Sequence, residues 1–170
     1  MERRKKRTDW VNLSASIAVI LGIVFLGLEI RQNTEMMRSQ TRDAISEKQM
    51  MFSEWVVTEP ELANVLAKVA ADEPLEGGER FMHAYFLAGI WREWENSYYQ
   101  YQQELFDREE FEPRMARWRA QMRQPAARQS WIATRMNYSP SFRGVVDAIV
   151  EEYEESLQIP PGSELEQVVP

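Results

Sequence analysis

Residues 13–28 hold no charged side chain and no proline, and their only polar side chains are Ser14 and Ser16. As a helix rising about 1.5 Å per residue, the slightly wider stretch 10–30 spans about 31 Å, one bilayer hydrocarbon core. This predicts a single transmembrane helix at 10–30. The helical periodicity then runs on through 31–57 without a breaker. Ile30, Met37, Ala44 and Met51 recur every seven residues, with Asn33, Gln40 and Glu47 in the intervening seam positions. Half an apolar seam makes a poor coiled coil. Ile45, Phe52 and Trp55 widen the stripe at its far end, so the expected element is one helix leaving the membrane with its distal half packed on a domain.

That domain is expected at 58–158. Thr58-Glu59-Pro60-Glu61 reads as a helix start with a capping threonine and a proline in the first turn, and the helix runs to about residue 71. DEPLEGG, 72–78, is a loop by its proline and glycine pair. The longest helix outside the span is predicted at 79–106. Its seam of Leu87, Trp91, Trp94, Tyr98, Tyr101 and Leu105 makes it the core element. Segment 108–123 carries Phe111, Met115, Trp118 and Met122. Pro125 opens a further helix with Trp131 and Ile132 inside, and Ser139-Pro140 opens the last, with Phe142, Val146, Ile149 and Tyr153 inward. The tail IPPGSELEQVVP, 159–170, is proline-broken and expected to be flexible. No alternating β-branched run and no internal repeat occurs. The fold class is all-α: one N-terminal transmembrane helix continuing into a small helical-bundle domain.

The head, residues 1–9, packs Arg3, Arg4, Lys5, Lys6 and Arg7 before the span. Basic residues flanking a span stay cytoplasmic, which puts the N-terminus inside and the domain outside. Arg31, Arg38, Arg42 and Lys48 oppose this from a longer stretch. A cleavable signal peptide would share the basic head and apolar middle, but the exit FLGLEI lacks small residues one and three positions before a cut, so an uncleaved signal anchor is the better reading. Trp10 sits where an interfacial anchor belongs. Ser14, Ala18 and Gly22 form a small-residue stripe that permits close approach of a second helix; the plainer reading is a span facing lipid. Glu29 falls at the outer boundary, within reach of headgroup water.

The whole chain carries −7, and the head's five basic and two acidic side chains leave −10 on the remainder. An acidic domain of this kind disfavours nucleic acid as a partner. Absence of cysteine excludes disulfides, thiolate metal sites and cysteine nucleophiles.

Two stretches carry a resemblance. GLEIRQNT, 27–34, directly after a span, resembles a widespread group of small, uncharacterised bacterial single-span membrane proteins. WENSYYQY, 94–101, followed by Leu105, Phe106 and Asp107, is similar to the same group's central helix, as are the segment around Trp131 and Ser139-Pro140-Ser141-Phe142. The resemblance implies a bacterial membrane protein with a helical domain, and brings no activity with it; the expected location is the inner membrane.

Three constellations are candidates for chemistry. Glu95, Asn96, Tyr99 and Gln102, with neighbouring Glu93 and Gln103, decorate the aromatic helix. They either line a crevice for a polar ligand or fix helix register through buried hydrogen bonds. His83, the only histidine, lies one turn from Glu79, yet a bundle di-metal site needs more than one histidine, and no metal or cofactor is expected. Between residues 108 and 143 eight arginines face three acids. Arg114, Arg117, Arg119, Arg123 and Arg128 form either a patch for an acidic partner or lipid headgroups, or a set neutralised by Glu151, Glu152, Glu154 and Glu155. Neither a nucleophile elbow nor a phosphate-cradling glycine loop is present, so no catalytic residue is assigned. The sequence thus points to a non-enzymatic interaction or scaffold protein in the bilayer, self-associating as a homo-oligomer or joined to a larger membrane complex. The alternative is a ligand-binding sensor or accessory subunit.

Overall fold

The computed structural model describes the backbone of residues 2–158, and the side chains of Trp10 and of 12–157. The tail expected at 159–170 and the side chains of the basic head lie outside the described residues. The chain is all-α. Its helices are α1 (Glu2–Thr58), α2 (Pro60–Ala70), α3 (Gly77–Gln102), α4 (Arg108–Met122), α5 (Pro125–Thr134) and α6 (Pro140–Gln158), with a 3-10 turn at Arg135–Asn137; no strand occurs among the described residues. Two compact units divide between Arg42 and Asp43, and α1 contributes to both.

The first unit is helix alone. Within α1, Asn12–Thr58 is long and apolar enough to cross a bilayer, and none of its apolar window is buried by the rest of the chain. Every backbone donor and acceptor inside such a helix is satisfied by the helix itself, so only side chains meet the surroundings. Ser16 and Thr34 return their hydroxyls to the carbonyls one turn back, Asn12 O and Ile30 O, each at 3.0 Å. Ser14 and Ala18 are exposed, and a Cβ placed on Gly22 would meet nothing within 4 Å.

The second unit is a bundle built round an aromatic core. Trp91, Trp131 and Phe142 have no exposed surface and Trp118 has 1%. Trp94 stacks on Trp118 with centroids 4.8 Å apart, Tyr101 stacks on Phe111 at 4.2 Å, and Trp131 meets Phe142 edge-on. Such pairs add about 0.5–1.5 kcal/mol each beyond burial. The α3 seam is observed for Leu87, Trp91, Trp94, Tyr98 and Tyr101. Leu105 departs from it, because α3 stops at Gln102 and Phe106 takes the buried place. Both α2 and α3 end with an acidic residue in the left-handed region, Asp72 at φ 57° and Glu104 at φ 58°.

Other expectations shift by a turn or less. Thr58 is no cap: it closes α1, donating its hydroxyl to Glu54 O at 2.9 Å, and Glu59 precedes the Pro60 turn instead. The 72–78 loop gives its glycines to α3, whose start is fixed by Glu76 N–H donating to Glu79 Oε2 at 2.9 Å. In the distal part of α1 the inward positions are Ile45, Gln49, Phe52 and Val56, stepping by four, three and four; Ala44, Met51 and Trp55 are exposed. Ile132 is also outside, 58% exposed, since Ala127 and Trp131 already fill the inner face of α5.

Candidate functional site

Residues 43–58 of α1 lie against α3 through Phe52, which meets Phe86 edge-on at 5.8 Å and rests on Gly89. A Cβ at Gly89 would sit 3.3 Å from the Phe52 ring, so glycine permits this close approach. A depression opens on either side of the contact.

The first is a groove of about 790 Å³ bounded by Lys48, Met51 and Trp55 on α1, by α3 from Gly89 to Gln102, and by Ser139 and Ser141. All four polar residues singled out on α3 line it. Their commitments differ. Glu95 is engaged: it pairs with Arg92, and its Oε1 accepts the Ser139 backbone N–H at 2.7 Å. It therefore holds the N-terminus of α6, where a carboxylate also meets the positive end of the helix dipole. Arg92 in turn lies over the Tyr138 ring at 4.7 Å. Gln102 donates to the Tyr98 hydroxyl at 3.0 Å. The side chains of Asn96 and Tyr99 have no hydrogen-bond partner among the described residues and are left at the groove, as is that of Lys48. Of these four, the register-fixing role falls to the half-buried Glu95, and it acts across elements.

The second is a cleft of about 520 Å³ between residues 46–56 of α1, α3 near Phe86 and Trp94, and the Arg114–Gln121 stretch of α4. Beneath it lies a polar cluster that charge arithmetic along the chain does not show. Arg114 Nη1 donates to Glu93 Oε1 at 2.6 Å and to Ser97 Oγ at 2.8 Å, and Ser97 donates to Glu93 Oε1 at 2.9 Å. All three residues are buried.

The arginine set is accordingly split. Arg114 is an inward residue, not part of a surface patch; it occupies the step between Phe111 and Trp118, where a charge is buried because a carboxylate waits there. Arg119 pairs with Glu152 at 2.9 Å, joining α4 to α6. Arg128 donates to the carbonyls of Met122 and Arg123 at 2.7 and 2.8 Å and lies over the Tyr153 ring at 4.4 Å, closing the C-terminus of α4. Arg117 and Arg123 make no ion pair among the described residues and are exposed.

His83 is buried, which holds its imidazole below the ordinary 6.5. Glu79 is already engaged by the Glu76 N–H and the Lys68 ammonium, which lower its carboxyl pKa. Among the described residues no three histidine or acidic side chains stand close enough to hold a metal ion.

The arrangement offers binding surfaces with apolar walls and a few uncommitted polar groups. Comparisons with protein-family models, with curated proteins and with solved structures returned no match.

Proposed function

We propose that this is a single-span protein of the bacterial inner membrane, its N-terminus cytoplasmic and its helical domain outside, serving as a ligand-binding sensor or accessory subunit. One observation carries the reading: the 790 Å³ groove takes one wall from the same helix that forms the apolar span. A molecule held between Trp55 and Tyr99 bears directly on that helix. Volumes of about 300–1,000 Å³ with mostly apolar walls and few polar groups are typical of small-molecule sites. Asn96, Tyr99 and Lys48 supply the uncommitted donors and acceptors. The basic head and the apolar helix support the membrane placement.

Self-association is a second reading, favoured by the open surface at Ser14, Ala18 and Gly22. Close helix approach in lipid is driven by packing of such small residues.

Native mass spectrometry of the full-length protein, extracted in mild detergent, reads both. Wild type should retain a bound molecule or second polypeptide that Asn96→Arg loses while remaining folded. Gly22→Ile should lower the oligomer number. Recovery of both wild type and Asn96→Arg as bare chains would overturn the groove reading, and an unchanged oligomer in Gly22→Ile the other.

A further inference from the structure

The second cleft has a chemistry of its own. Arg114 is 9% exposed, yet both of its hydrogen bonds leave from one nitrogen, Nη1. A guanidinium carries five donors in a planar fork, so Nε and Nη2 hold three N–H groups that make no bond among the described residues. Among the described residues no buried side-chain nitrogen or oxygen is both fully sealed and unpaired, so those donors keep some accessible surface, and Arg114 is one of the residues lining the cleft. Arg117 lines the same cleft from one turn further along α4, exposed and without an ion pair among the described residues. Among the residues lining the cleft, two guanidinium groups thus stand against one carboxylate, that of Glu93, a local surplus of one positive charge. Around them the walls are aromatic, with Phe52, Phe86, Trp94 and Trp118, and Gln49 and Gln121 add amides at the rim.

We propose that this cleft binds the carboxylate of an apolar organic acid, its single negative charge held between Arg117 and the free edge of Arg114 and its body laid against Phe52 and Phe86. A monoanion matches the surplus of one charge, whereas a phosphate monoester would bring nearly two. Guanidinium–carboxylate geometry is two-toothed and charge-assisted, which gives direction as well as strength. The aromatic walls supply the apolar burial that a bare anion could not use. The site lies across Phe52 from the groove, sharing Phe52 and Glu93 with it, and its test does not depend on what the groove holds.

The test is a titration of full-length protein in detergent with 4-phenylbutyrate, hexanoate and decanoate, followed by tryptophan fluorescence, since Trp94 and Trp118 line the cleft. The alcohols of the same carbon skeletons and inorganic phosphate serve as controls. At least one carboxylate should bind in the low millimolar range or tighter, at least tenfold better than its alcohol and than phosphate. Arg117→Gln should weaken it about tenfold to a hundredfold, the worth of a hydrogen bond to a charged group. Arg123→Gln, at the residue just past the end of α4 and away from the cleft, should leave it unchanged. Equal binding of acid and alcohol, unaltered affinity in Arg117→Gln, or no binding by any of the three acids would overturn the proposal.

Discussion

Glu93, Ser97 and Arg114 are the residues whose removal should be most informative. Sequestered charges cost several kcal/mol each to dehydrate, and only their mutual contact offsets that cost. Glu93→Ala would leave the Arg114 guanidinium buried without its counter-ion, and we expect a loss of about 3–5 kcal/mol of stability. The double variant Glu93→Met with Arg114→Met removes both charges and keeps the volume, so it should lose far less than the two single changes together. Denaturant unfolding of the full-length protein in detergent measures this. If Glu93→Ala proved as mild as the double change, the pair would not be desolvated as the 2.6 Å contact implies. The core tryptophans were legible in the sequence, because large apolar side chains at steps of three and four have one place to go. Arg114 was not. A charged residue is read as surface by default, although its position three after Phe111 and four before Trp118 put it on the inner face of α4. Glu95, Asn96, Tyr99 and Gln102 were legible as one polar set with two alternative roles; that Glu95 takes the register-fixing one was not, because its partner, the Ser139 N–H, is 44 residues away.

The helices themselves show the same division between local and distant causes. Starts at Pro60, Pro125 and Pro140 were readable, since proline fits a first turn and little else in a helix. Ends were harder. After α2, Asp72 N–H donates to Val69 O at 3.2 Å and Glu73 N–H to Lys68 O at 2.9 Å, with Asp72 in the left-handed region. After α3 the same pair recurs, Glu104 to Tyr101 O and Leu105 to Gln100 O, both at 3.0 Å. This is the Schellman closure, which glycine usually makes and thereby announces in a sequence. Here acidic residues make it, so α3 was expected to run on to residue 106. A non-glycine left-handed residue costs about 1–2 kcal/mol, somewhat less for aspartate. Asp72 is exposed, with no side-chain hydrogen bond or ion pair among the described residues. Asp72→Gly should therefore raise stability by up to about 1 kcal/mol, the strain relieved being partly offset by glycine's freedom in the unfolded chain. The measurement is the unfolding midpoint, and a fall in it would mean the aspartate is not strained there. Glu104 is a poorer test because its side chain has a partner of its own.

For the molecule as a whole, the ligands that the groove and the cleft meet depend on which side of the membrane the bundle faces. A groove open to the outside samples a different set of ligands from one open to the cytoplasm, and an organic acid is scarce or plentiful accordingly. Five basic residues before the span argue for a cytoplasmic head, while Arg31, Arg38, Arg42 and Lys48 behind it argue the other way with less density. The −10 on the remainder contributes little, because acidic residues weigh weakly in orientation. The chain contains no cysteine, so a single one introduced on the exposed face of α6, Glu154→Cys, is the sole thiol in the protein. With the head cytoplasmic, a membrane-impermeant maleimide should label that thiol in intact spheroplasts as fully as after permeabilisation. Replacing Arg3, Arg4, Lys5, Lys6 and Arg7 together by glutamine should then move a substantial fraction of the chains into the protected class, because the basic cluster behind the span becomes the denser one. Labelling only after permeabilisation in the unaltered chain would place the bundle inside. The groove and the cleft would then keep their geometry but take their ligands from the cytoplasm.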